Sequence, residues 1–131
     1  MKNYKIVVLL SLLVLMCAIG LSAQTRERVR FTRGTHGANV RGTVRGYAYR
    51  DYVVGAVAGQ TMDLRLTASN ASTVITVFLP NGDNLDGASE TTEFNGELPG
   101  KGDYVIRVLM MRSAARRKAS VSNFTLAIGI R

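Results

Sequence analysis

From residue 37 onward, polar and apolar positions alternate in short runs. Asn39-Val40-Arg41-Gly42-Thr43-Val44-Arg45 puts Val40 and Val44 on one side and the arginines on the other. Thr61-Met62-Asp63-Leu64-Arg65-Leu66-Thr67 is cleaner still, with Met62, Leu64 and Leu66 facing a core while Asp63 and Arg65 face water. A period of two residues is the mark of a half-buried strand. Tyr104 to Val108 and Phe124 to Ile130 repeat it near the C-terminus. Tyr52 to Val57 and Val74 to Leu79 are instead continuous β-branched and aromatic runs, as strands covered on both faces require. The segments between carry turn chemistry: Ala58-Gly59-Gln60, Pro80-Asn81-Gly82-Asp83 and Pro99-Gly100-Lys101-Gly102. No amphipathic helix of useful length interrupts them. Short strands at spacings of about 8 to 12 residues predict an all-β fold, an antiparallel β-sandwich of about seven or eight strands.

The first residues follow a different rule. Lys2 and Lys5 lead into the apolar run from Ile6 to Leu15, which continues through Cys17 and Ile19 to Leu21-Ser22-Ala23 and then Gln24. A charged start, an apolar middle and a small residue at the cut read as a secretory signal peptide over residues 1–23, with one domain over 24–131. A membrane anchor is the alternative for the same stretch, because about 18 apolar residues just span a bilayer. Cleavage would remove Cys17 and leave no cysteine, so the domain must hold together by core packing even in an oxidising compartment. The expected destination is the periplasm, with no stable membrane insertion after cleavage.

Charge changes the picture further. Removing Lys2 and Lys5 leaves 15 basic against 9 acidic residues, a formal charge of +6. Residues 24–50 hold seven arginines against Glu27, and residues 104–131 hold six cations and no acid. The other eight acids lie between Asp51 and Asp103. If the two ends of the chain meet in space, the fold gains a basic pole and an acidic one. The densest cationic stretch is Met110-Met111-Arg112-Ser113-Ala114-Ala115-Arg116-Arg117-Lys118, between two apolar alternating segments. It reads as a hairpin loop on a β scaffold, where binding function concentrates. An exported basic face implies an anionic partner: a lipid or lipopolysaccharide surface, or an acidic cleft on another protein. Nucleic acid is not an expected partner.

Catalytic constellations are missing. His36 is the only histidine and sits in Arg33-Gly34-Thr35-His36-Gly37, a loop by composition and a solvated turn residue by expectation. No Gly-x-Ser-x-Gly elbow accompanies it. One histidine and no mature cysteine argue against a transition-metal site. Asn81-Gly82-Asp83-Asn84-Leu85-Asp86-Gly87 offers oxygen ligands but sets Leu85 at a ligand position, unlike a calcium loop. Glu90, Glu93 and Glu97 suit a solvated strand face better than a pair of catalytic carboxyls. The expectation is a protein that is not an enzyme and that needs no cofactor or metal.

Asp51 to Met62, Val77-Phe78-Leu79-Pro80-Asn81-Gly82 and Gly102 to Val108 resemble the bacterial pre-peptidase C-terminal domain, a small β-sandwich. A more specific resemblance spans Val29 to Ile130. Phe31-x-x-Gly34-Thr35, Gly46-Tyr47-x-Tyr49-x-x-Tyr52, Ala58-Gly59-Gln60 and Arg107-Val108-Leu109-x-x-Arg112-x-x-Ala115-Arg116 are similar to the periplasmic inhibitors of goose-type lysozyme. That resemblance implies a goose-type lysozyme as partner and protection of peptidoglycan from lysis. Tyr47, Arg112 and Arg116 would be the residues inserted into the enzyme's acidic substrate cleft, and Arg117 and Lys118 would steer the encounter. Between the two arginines this chain has Ser113-Ala114-Ala115, where the family leads one to expect a more polar filling. A second reading uses the same basic pole as a diffuse patch for anionic envelope polymers.

Overall fold

The computed structural model describes residues 3–8 and 25–131. Residues 3–8 are helical and exposed. The remainder of the expected signal peptide, including its cut after Ala23, lies outside the described residues. Among the described residues no helix is long and apolar enough to cross a membrane.

Eight strands follow: β1 (Thr25–Arg28), β2 (Gly37–Arg45), β3 (Tyr49–Ala56), β4 (Thr61–Ala68), β5 (Thr73–Phe78), β6 (Glu93–Glu97), β7 (Gly102–Met110) and β8 (Val121–Ile130). They form two four-stranded sheets, ordered β1-β3-β7-β5 and β2-β8-β4-β6. The arrangement is the expected sandwich, antiparallel throughout except that β1 runs parallel to β3.

The alternating runs supply the core. Met62, Leu64 and Leu66 of β4 and Phe124, Leu126, Ile128 and Ile130 of β8 face Tyr52 and Val54 of β3 and Tyr104, Ile106 and Val108 of β7. Each such side chain, once fully buried, contributes about 1.5–3 kcal/mol. Tyr52 meets Phe124 edge-on at 6.2 Å between ring centroids. Gly42 of β2 makes room for this pair, because a Cβ there would lie 2.7 Å from the Phe124 ring and 3.0 Å from the Tyr52 hydroxyl. Burial raises the pKa of the Tyr52 phenol, and the nearby Arg50 guanidinium opposes that shift only in part.

Of the continuous runs, Tyr52 to Val54 and Val74 to Val77 are buried while Val57 is exposed, and β5 is paired along its free edge. Along β5, the irregular segment 83–91 adds backbone hydrogen bonds, with Ile75 and Thr91 exchanging bonds of 2.7 and 3.1 Å. Leu85 and Ala88 of that segment are buried in the core. The stretch weighed as a calcium loop is thus a structural strap, and Asn81 and Asp83 close a local turn through a 3.0 Å bond from the Asp83 amide to Asn81 Oδ1. Tyr104 holds the following turn, donating its hydroxyl to the Gly100 carbonyl at 2.6 Å. Glu93 and Glu97 are exposed on β6, and Glu93 lies 3.6 Å from Arg65.

Candidate functional site

The register of the strands decides which loops share an end. Arg45 pairs with Val121, Tyr49 with Leu109, Thr73 with Met110 and Ala68 with Phe124. The β2–β3 turn (46–48), the β4–β5 turn (69–72) and the β7–β8 connection (111–120) therefore meet at one end of the sandwich. Together with Arg45 they carry Arg112, Arg116, Arg117 and Lys118, and they contain no acid. A basic end therefore forms, but from Arg45 and the β7–β8 connection and not by the two ends of the chain meeting, since Arg131 is bonded to Thr61 at the opposite end.

The acidic pole is not formed. Segment 29–36 crosses from the first sheet to the second at the opposite end, where the His36 carbonyl accepts the Ile130 amide at 2.8 Å. It brings Arg30 and Arg33 to the side that holds Asp83, Asp86 and Glu97, so that end is mixed in sign. His36 is exposed there, as a turn residue.

The cationic stretch is not a hairpin loop. Strands β7 and β8 belong to opposite sheets, so residues 111–120 cross the end of the sandwich. The crossing begins with a single helical turn, Arg112–Ala115. Ala114 and Ala115 are buried and Ala115 packs into the core, which explains the apolar filling between the arginines: it docks the turn. Backbone bonds fix the rest. The Met111 amide donates to Ser72 at 2.8 Å, Arg117 to Ala114 at 3.1 Å and Ser120 to Arg117 at 3.2 Å. Ala119 turns the chain with a φ of 57°.

The turn that carries Tyr47 is held against this crossing. It closes through a 3.0 Å bond from Ala48 to the Arg45 carbonyl, with Gly46 at a φ of +55° that favours glycine. The Gly46 amide then donates to the Ser120 carbonyl at 3.0 Å, and a Cβ on Gly46 would sit 3.8 Å from the Ala115 carbonyl oxygen. Beneath the third loop, the buried Thr73 and Ser122 hydroxyls lie 2.7 Å apart. The three loops form one hydrogen-bonded unit on the sheet ends.

The tyrosine and the four cations expected to act at this end are exposed. Tyr47 exposes 66% of its surface, and Arg112, Arg116, Arg117 and Lys118 are all exposed. None of the five makes a side-chain hydrogen bond or ion pair among the described residues. Arg112 and Arg116 stand four residues apart, which sets their side chains on one face. Met111 (41% exposed) and Val121 (39%) lie at the same end. The alternation that buries Met110 already points Met111 outward, whereas the exposure of Val121 needs the fold to be seen.

Other charged groups are committed elsewhere. On the outer face of the first sheet, Arg107 donates to both oxygens of the buried Asp51 at 2.8 and 3.0 Å and stacks on Tyr49 at 3.8 Å. Arg28 and Asp103 pair at 2.6 Å. These guanidinium groups line a groove of about 630 Å³ with Arg26, Phe78 and Val105, away from the three loops.

No family model matches the chain. A protein of Escherichia coli K12 named as an inhibitor of g-type lysozyme is 27% identical over 114 residues, covering 81% of this chain and 82% of the relative. The crystal structure of Aeromonas hydrophila PliG, described as a periplasmic inhibitor of g-type lysozyme, superposes with a TM-score of 0.71 at 29% identity, over 82% of this chain and 98% of that one. Salmonella Typhimurium PliG, described in the same terms, gives 0.68 at 27% identity, over 83% of this chain and all (100%) of the other. The pre-peptidase C-terminal domain of a Bacillus anthracis collagenase gives 0.55 at 8% identity, a likeness of fold alone. The chain is therefore similar, in sequence and in fold, to the periplasmic inhibitors of goose-type lysozyme.

Proposed function

We propose that this chain is a periplasmic inhibitor of goose-type lysozyme that sets the basic end of its sandwich into the enzyme's substrate cleft. The observation that carries this reading is the gathering, on one end, of an exposed tyrosine and four cations that have no side-chain partner among the described residues, with no acid among them. A lysozyme cleft holds the carboxyl groups that cleave the glycosidic bond. Arg112 and Arg116 present planar guanidinium forks suited to bidentate pairing with such carboxylates, a geometry that lysine lacks. Tyr47 supplies a rigid aromatic anchor, and tyrosine and arginine are the residue types that dominate interface energetics. Arg117 and Lys118, beyond the helical turn, speed the encounter. The protein binds and blocks; it is not an enzyme.

The test is lytic activity of a goose-type lysozyme titrated with residues 24–131 at moderate salt. Stoichiometric inhibition is expected, lost in Arg112→Ala/Arg116→Ala and weakened about tenfold or more by Arg112→Lys. No inhibition by the wild-type protein would sink the reading for that enzyme. Binding to anionic envelope polymers that tolerates Arg112→Lys and collapses with salt would point to the diffuse-patch reading instead.

A further inference from the structure

We infer that Met111 is an apolar anchor of the inhibitory surface, kept at the start of the helical turn at a cost in stability. This rests on the lysozyme reading above and adds a contact that the resemblance did not supply.

Three observations converge on this residue. Met111 is the N-cap of Arg112–Ala115, with φ −60° and ψ 149°, and it provides no side-chain cap. Serine, threonine, aspartate or asparagine there would accept a hydrogen bond from the first turn, and methionine forfeits it. The first turn has no acid either. The local rule for starting a helix is thus broken where a polar residue would be the simple solution, and such breaks mark functional positions. Second, Met111 leaves 41% of its surface exposed, immediately after the buried Met110. Third, of the large apolar side chains exposed among described residues 25–131, namely Tyr47, Val57, Met111 and Val121, all but Val57 lie at the basic end.

The placement of these side chains suits a cleft. Met111 stands beside the β4–β5 turn, bonded through its amide to Ser72, whereas Tyr47 stands on the β2–β3 turn beside Ser120. The cationic crossing lies between them. Arginines in the middle meet carboxylates, and apolar groups on either flank exclude water from those pairs, which strengthens them. A cleft that binds a polysaccharide offers apolar and aromatic rims beside its acids, and an unbranched thioether adapts its shape to such surfaces.

The test compares Met111→Ser and Met111→Leu with the wild-type protein, reading the thermal midpoint and the inhibition constant against a goose-type lysozyme. Met111→Ser restores a cap, so its midpoint is expected to stay level or rise by about 4 °C. Its inhibition is expected to weaken about tenfold, through faster dissociation. Met111→Leu keeps apolar bulk and should stay within about threefold of wild type. If the wild-type protein inhibits and Met111→Ser inhibits equally well, this inference alone is overturned. If the wild-type protein fails to inhibit, the lysozyme reading falls and takes this inference with it.

Discussion

Asp51 and Arg107 show how much of this protein's behaviour is decided by single contacts that the chain hides. The Asp51 side chain is 8% exposed, on the outer face of a sheet, where it is bound by Arg107, whose guanidinium lies against the Tyr49 and Phe78 rings. The guanidinium binds both carboxylate oxygens, and that hydrogen-bonded contact raises the Arg107 pKa further above its ordinary value. Removing the arginine would strand a buried carboxylate. Arg107→Ala is expected to destabilise by about 3 kcal/mol, and Asp51→Asn/Arg107→Ala by clearly less than the sum of the single changes. Chemical denaturation of the four proteins checks this, and additive losses would show that the pair is not coupled. In the sequence Asp51 looks like the first of the mid-chain acids and Arg107 like one more outward arginine. Their separation of 56 residues is closed only by the register of β3 on β7. Val121 was hidden for the same reason, since its exposure at the start of β8 is a property of the packed ends.

At the scale of elements, the strands that bury one face were legible because alternation is written directly into β2, β4, β7 and β8. Two features were not. Strand β1 has all four side chains exposed, so no apolar period announces it. The crossing 111–120 looks like a hairpin loop because nothing local to a chain tells whether two flanking strands share a sheet. Strand β1 is held by its ladder to β3, by the Val29 amide on the Val53 carbonyl at 2.9 Å, and by the Arg28–Asp103 pair. The hydrogen bond from Arg28 lowers the Asp103 pKa, so the pair's support is present above the ordinary aspartate range and is lost as pH falls through the lowered folded value. Both groups are exposed, and the consequence is local. Below about pH 4, β1 is expected to fray while the core stays folded. Hydrogen exchange, corrected for intrinsic rates, should show protection at Val29 falling in acid in the wild-type protein but independent of pH in Asp103→Asn. Protection that persists unchanged to pH 2 or so would remove the ion pair from this account.

The whole molecule adds a property that no single contact holds, the asymmetry of its field. One end carries Arg45, Arg112, Arg116, Arg117 and Lys118 without an acid, and segment 29–36 makes the other end mixed, so the charge is one-sided. Such a field accelerates approach to an acidic cleft and orients it, and it acts over about 10 Å at 0.1 M salt but only about 3 Å at 1 M. In the proposed complex the bound state is governed differently, because the central pairs would be desolvated on docking and escape the screening that weakens exposed charges. The two sets of side chains should therefore separate kinetically. Arg117→Glu/Lys118→Glu is expected to slow association with a goose-type lysozyme about tenfold at low salt, leave dissociation nearly unchanged, and lose its effect as salt rises. Arg112→Ala and Tyr47→Ala should instead speed dissociation at every salt concentration, with association within about threefold of wild type. Surface-based kinetics across a salt series distinguishes the two patterns. If the charge reversals at residues 117 and 118 act on dissociation, those side chains lie inside the contact, and the division of labour between steering and anchoring must be redrawn.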